Sequence, residues 1–199
     1  GNQSLVSSVN GTTAAPQPFE VLLTFIDPTD LFTNPSFGNY WNFVTNMVNT
    51  AALEQDLVSK TNAATGLKFK LLNDLSGGGT DGLSKNTGTN GDITFSGTTY
   101  PDKAIEDSAF LTNASPTPWF EIQNCAGYTY TLRFLSNRSS GSNLFINLSV
   151  NGSTTVTRNA VGNTTIDVLN SLSPNGSGKL VITVDRNTNN GYLNFIHLI

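Results

Sequence analysis

The chain has 199 residues, 37 % of them hydrophobic and only 12 % charged, with a formal net charge of −4 and an isoelectric point near 4.8. That length fits one large β domain able to bury a core, and the charge content, about half the usual quarter, leaves solubility to amides and hydroxyls. An acidic balance without a Lys/Arg cluster excludes a nucleic-acid partner, and no run is long and apolar enough to insert in a bilayer.

Residues 1–18 (GNQSLVSSVNGTTAAPQP) are Ser-, Thr-, Asn- and Pro-containing, with neither a basic start nor an apolar segment. They read as a polar linker and not as a signal peptide, and residues 19–199 as a single β-sandwich module within a longer chain. Residues 19–26 (FEVLLTFI) predict a central strand, which Asp27-Pro28-Thr29-Asp30 ends with turn chemistry. A loop through Asn34-Pro35 and Gly38 leads to the aromatic group Tyr40-Trp41-Asn42-Phe43. Residues 44–58 (VTNMVNTAALEQDLV) are the one place where a helix is expected, because Val44, Met47, Val48, Ala51 and Ala52 share a helical face. LKFKLL at 67–72 predicts a strand, the Gly-rich GGGTDG and the polar residues up to Gly91 a loop or hairpin, and 92–99 a further short strand. YPDKAIEDSAF at 100–110 predicts a connection with a single helical turn.

From Tyr128 onward the chain is a series of short alternating segments: YTYTLRFL, NLFINLSVNG, STTVTRN, NTTIDVL, KLVITVD and YLNFIHLI. Polar turns separate them, and Asn151-Gly152 is the strongest hairpin signal in the chain. Evenly spaced strands without intervening amphipathic helices predict an all-β antiparallel sandwich or barrel. Such a scaffold carries no chemistry of its own, so function is sought on its loops.

The residue inventory weighs against catalysis. His197 is the only histidine and lies inside an alternating strand, and no G-x-S-x-G turn offers a nucleophile. One His and one Cys exclude a typical zinc site, and the lone Cys125, which cannot join an intrachain disulfide, reads as a small buried residue or part of a turn. Asp74, Asp81, Asp102, Glu106, Asp107 and Glu121 are the carboxylates a glycosidase would draw on, but no pair stands out. Asn113, Asn147 and Asn163 head Asn-X-Ser/Thr triplets, which arise by chance in so Asn- and Thr-rich a chain.

Several segments, read in order, carry a resemblance. They are WNF at 41–43, LVSKTNAATGLKFKLLND at 57–74, YPDKAIEDS at 100–108, YTLRFLSNR at 130–138, INLSVNG at 146–152, GNTT at 162–165, SPNGSGKLVITV at 173–184 and GYLNFIHLI at 191–199. Together they resemble the jelly-roll, galactose-binding-like modules of large secreted or surface proteins of Bacteroidetes-type bacteria. The chain departs from that pattern at Asn137, where related modules often have Ser followed directly by Arg. The resemblance implies a jelly-roll sandwich, a secreted or cell-surface location, and non-catalytic binding of a polysaccharide or cell-surface glycan for adhesion or enzyme targeting. It also implies a monomeric unit and a structural Ca²⁺ in an early loop, for which Asp27 and Asp30 are suited and Asp74 with Asp81 a second option; plain turn formation is the competing reading.

Sugar binding asks for flat aromatic platforms on loops, with amides, carboxylates and Arg to read the hydroxyls. Trp119, behind Pro116 and Pro118, is the foremost platform, or else a core Trp at a strand start; Tyr40 and Tyr100 come next. Asp102, Asn137 and Arg138 are the polar contacts expected beside them, while Trp41 reads as structural and Arg133 as a mid-strand ion-pair or surface residue. The alternative to glycan recognition is a structural or protein-interaction spacer of a surface adhesin.

Overall fold

A computed structural model describes residues 19–48, 53–73, 83–84, 91–111, 116–139, 141–142, 144–186 and 190–199. In chain order the strands are β1 (Val21–Phe25), β2 (Trp41–Val44), β3 (Glu54–Val58), β4 (Ala64–Leu71), β5 (Leu83–Ser84), β6 (Ile93–Phe95) and β7 (Thr98–Tyr100). A single helical turn, α1 (Asp102–Ile105), precedes β8 (Ser108–Leu111), β9 (Thr117–Gln123), β10 (Tyr130–Leu135), β11 (Phe145–Val150) and β12 (Val156–Asn159). Last come β13 (Asp167–Leu172), β14 (Leu180–Arg186), β15 (Gly191–Leu193) and β16 (Phe195–Leu198).

Two large sheets face each other. One runs β13-β10-β16-β1-β2 and the other β12-β11-β14-β9-β4-β3. Taken in chain order, β1, β9, β10, β11, β12, β13, β14 and β16 cross from sheet to sheet, the β11–β12 hairpin excepted. The neighbours that result, β1-β16-β10-β13 and β9-β14-β11-β12, are the nested Greek keys of a jelly roll. Outside this frame, β2 joins the first sheet as a parallel edge and the β3–β4 hairpin extends the second. Two smaller sheets, β15-β8-β5 and β6-β7, complete the described structure.

Alternation along each strand decides which face is dry. Val21, Leu23 and Phe25 of β1, Leu132 and Phe134 of β10, and Ile196 and Leu198 of β16 meet Phe69, Phe120, Ile122, Leu148 and Ile182 of the second sheet. Trp119 belongs to this inter-sheet core, its ring stacked 6.3 Å from that of Phe25. The opposite face of the first sheet is buried over β1, β2, β16 and the end of β10, while the β13 edge keeps Asn170 and Ser171 exposed. Leu22, Trp41, Leu135 and Phe195 are covered there by Tyr100 of β7, Ala104 and Ile105 of α1, and Ile166. The outer face of the second sheet keeps polar alternation instead: Lys68, Lys70, Asn147, Ser149, Thr183 and Asp185 are all partly exposed.

Two expectations change in the structure. No helix forms over the described part of 44–58, because β2 ends at Val44 and Glu54–Val58 is a strand paired with β4. Leu57 points inward while Glu54 and Asp56 face solvent, so a period of two overrides the helical spacing once a partner strand is present. YLNFIHLI, read as one strand, divides at Asn194 into β15 and β16, which lie in different sheets. The hairpin at Asn151-Gly152 has both residues at positive φ, 49° and 74°, as a type I′ turn requires. The helical turn expected within residues 100–110 is α1.

Candidate functional site

Most of the aromatic residues that the sequence offers as sugar platforms lie in the core. Trp119 is 1 % exposed and mid-sheet, between β14 and β4, with its carbonyl accepting the N–H groups of Leu72 and Asn73. The preceding Pro118, which has no N–H to give to a ladder, enters at a register shift opposite Ile182 and Thr183, so the proline marks a bulge and not a loop. Tyr100 is fully buried against Phe195, ring centroids 4.5 Å apart, and Trp41 packs edge-on to both. Neither Trp119 nor Tyr100 is a surface platform. Tyr40 is half-buried at the end of the β1–β2 loop.

Two of the polar candidates, Asp27 and Asn137, fall into one connected group. Asp27 donates its backbone N–H to Asp107 Oδ2 at 2.9 Å, and Asp107 O accepts from Asn194 Nδ2 at 3.0 Å. Asn194 Nδ2 also reaches Ile105 O at 2.7 Å, while Asn194 Oδ1 accepts the Asn137 N–H at 2.6 Å. Asn137 is therefore fully buried at the end of β10 and is no surface contact; neither atom of its amide nor Ser136 Oγ meets a hydrogen-bond partner. Arg138 lays its guanidinium over the Tyr192 ring, 4.6 Å from the centroid, and donates to the Tyr192 hydroxyl. Asp102 opens α1 away from this group, its N–H donating to Asp92 Oδ1 at 2.9 Å.

The carboxylates of Asp27, Glu106 and Glu121 are engaged in structure. Asp27 is 2 % exposed, and its Oδ1 accepts the N–H and the hydroxyl of Thr29 at 2.8 and 2.5 Å, the chemistry of a side-chain-closed turn. Asp30 donates its N–H to Asp27 O at 2.9 Å. Among the described residues no three His, Cys, Asp or Glu side chains are grouped to hold a metal ion. Asp74 and Asp81 lie outside those residues. Glu106 pairs with Lys103 and Glu121 with Lys179, at 2.5 and 2.7 Å, and the Lys103 ammonium is held above its ordinary range by that hydrogen bond. Cys125 is fully buried, and burial pushes its thiol up to about 11, far from nucleophilic use at neutral pH.

What stands out at the surface is a feature that the sequence reading passed over. Phe37 and Leu31, 59 % and 49 % exposed, are the large apolar side chains most open to solvent among the described residues, and both belong to the loop joining β1 to β2. Phe37 and Gly38 form the tip of a two-residue turn at φ 51° and 75°, closed by reciprocal Ser36–Asn39 backbone hydrogen bonds of 2.9 and 3.0 Å. A bulky residue in the left-handed region is a genuine outlier, at a cost of about 1–2 kcal/mol. The finger is braced below its tip. Asn34 donates to Trp41 O and accepts the Trp41 N–H, both at 2.9 Å, and the Tyr40 N–H reaches Lys60 O at 2.8 Å. Phe-Gly before Asn is the sequence signal for this turn, since Gly supplies one of the two positive φ angles it needs.

No family model, curated protein or solved structure matches the chain.

Proposed function

We propose that this chain is a non-catalytic carbohydrate-binding module of an extracellular bacterial protein, with the β1–β2 loop as its contact surface. The observation that carries the reading is Phe37, an aromatic ring 59 % exposed on a braced, strained finger. A pyranose C–H face stacks on such a ring, and rigidity removes most of the ordering cost of binding. Backbone strain retained at an exposed aromatic supports a functional reading of this loop. Tyr40, half-buried at the base of the loop, and the amides of Asn34 and Asn39 lie along the same finger. The resemblance to galactose-binding-like jelly rolls of surface proteins, together with the jelly-roll strand order, supports the same reading and the role in adhesion or enzyme targeting that goes with it.

The test is a screen of soluble and insoluble polysaccharides, with calcium and with a chelator, against the unmodified protein and Phe37→Gly. Gly removes the ring and relieves the left-handed strain, so binding should be lost while stability rises by roughly 1 kcal/mol. Undiminished binding in Phe37→Gly would take the site off this loop. Loss of binding on chelation would assign the ion to the site rather than to Phe37 alone. A structural or protein-interaction spacer is the second reading, favoured by the burial of Trp41, Tyr100 and Trp119. Absence of binding to any glycan would bring it forward.

A further inference from the structure

Arg133 sits in the middle of β10 on the outer face of the five-stranded sheet, since its neighbours Leu132 and Phe134 both enter the inter-sheet core. Its guanidinium carbon lies 5.2 Å from the centre of the Phe95 ring, so β6 holds the plane of the group in place. This cation has no counter-ion. Nε is buried without a hydrogen-bond partner, and among the described residues the side chain forms no ion pair. Arg158, by contrast, is held by Asp167, and Arg138 by the Tyr192 hydroxyl. The polar cluster around His197, which stands directly opposite Arg133 on β16, supplies no anion either. Its one carboxylate, Glu20, is shared by Lys60 Nζ and His197 Nε2 at 2.5 and 2.8 Å, and the Tyr100 hydroxyl lies 2.8 Å from His197 Nδ1. A charge drawn partly out of water without a partner is costly, and a guanidinium presents a rigid fork of N–H donors that fits a carboxylate.

The surface beside Arg133 is open and polar. Val168 stands opposite it on β13, and both are partly exposed. Two residues before Arg133 on the same face, the Thr131 hydroxyl donates to Asn170 Oδ1 at 3.2 Å. Asn170 is exposed, and its Nδ2 has no partner among the described residues. A guanidinium, an amide and a hydroxyl thus share one strip at the sheet edge, the donors and acceptors that a hydroxylated carboxylate needs. The edge is poorly built to add a peptide strand. β13 carries an extra residue against β10, with Ser171 at φ 57°, and such a bulge breaks the ladder that an extended peptide would continue.

We propose that Arg133, with Thr131 and Asn170, forms a binding site for a carboxylate-bearing sugar, a uronic acid residue. Arg133 takes the carboxylate as a bidentate pair, and Thr131 and Asn170 take neighbouring hydroxyls. The net charge of −4 gives anions no general attraction, so such binding comes from the site itself. The site lies at the β10–β13 side of the sheet, whereas the Phe37 finger adjoins β2 at the opposite edge. Only the choice of a sugar as the carboxylate's carrier rests on the glycan reading; the site does not depend on the finger.

The experiment titrates the protein with oligogalacturonate, with the same oligomer methyl-esterified and with polyglutamate, and repeats the series in Arg133→Gln and Phe37→Gly. The expected result is binding of the free acid that falls at least about tenfold in Arg133→Gln. It should be unchanged in Phe37→Gly and absent for the ester. In the unmodified protein the NMR shifts should centre on Arg133, Phe95, Thr131 and Asn170, a readout that stands even where Arg133→Gln does not fold. No binding of the free acid, equal binding by Arg133→Gln, equal binding of the ester, loss in Phe37→Gly or shifts centred elsewhere would each overturn the site. Polyglutamate binding as tightly as oligogalacturonate would overturn the sugar assignment. Failure of the finger shows separately, as neutral-polysaccharide binding that is absent while the Arg133 response is intact.

Discussion

Asn137 poses the clearest problem at the scale of one residue. Its amide is fully buried with neither atom hydrogen-bonded, beside the equally unpartnered Ser136 Oγ. A buried polar group without a partner costs about 1–3 kcal/mol, whereas an apolar group of similar shape costs nothing of the kind. Asn137→Leu is therefore expected to leave stability unchanged or raise it by roughly 1 kcal/mol, read from the urea midpoint at constant slope. A loss of more than about 2 kcal/mol would mean that the amide is satisfied by a bound molecule the protein needs. The residue scale is also where the sequence was least legible. Trp119 behind two prolines and Tyr100 before a third look like loop aromatics, yet pairing partners and burial are set by strands distant in the chain. Trp41 and Cys125, read as structural and as a small buried residue or turn, are indeed buried.

At the scale of elements, Asn194 shows how one polar side chain divides a strand. It sits between β15 and β16, fully buried, and its amide joins the end of β10 to the end of α1 through Asn137 N, Ile105 O and Asp107 O. Removing the amide orphans an N–H and two carbonyls away from water. Asn194→Ala should cost on the order of 2–4 kcal/mol, measured by chemical denaturation; a loss under about 0.5 kcal/mol would show that these groups find other partners. Nothing in YLNFIHLI announces the break, since an Asn amid alternating apolar residues reads as an outward polar position. The Asn151-Gly152 turn was legible because its signal is local: two residues that tolerate positive φ, flanked by alternation. The expected helix over 44–58 failed for the opposite reason, its strand at Glu54–Val58 existing through pairing with β4.

Across the whole molecule the two sheets are treated unequally. The five-stranded sheet is buried on its inner face and also on its outer face over β1, β2 and β16, where the Glu20–His197–Tyr100 chain and the Thr24 hydroxyl bond to Ala104 O join the covering layer to it. The six-stranded sheet leaves a polar face of Lys, Asn, Ser and Thr partly open to solvent. Even spacing of short alternating segments made the all-β sandwich readable from the chain alone, and its strand order follows the jelly-roll path. The exposed finger at Phe37 was not readable, because it depends on which face a loop presents after folding. The proposed recognition of a neutral glycan then has two candidate surfaces, the finger and the open sheet face. The most direct test is to titrate isotope-labelled protein with the best-binding oligosaccharide and map the amide and aromatic NMR shifts. The largest changes are expected at Leu31, Phe37 and Tyr40; changes centred instead on Lys68, Asn147 and Thr183, with the finger unmoved, would contradict binding at the finger.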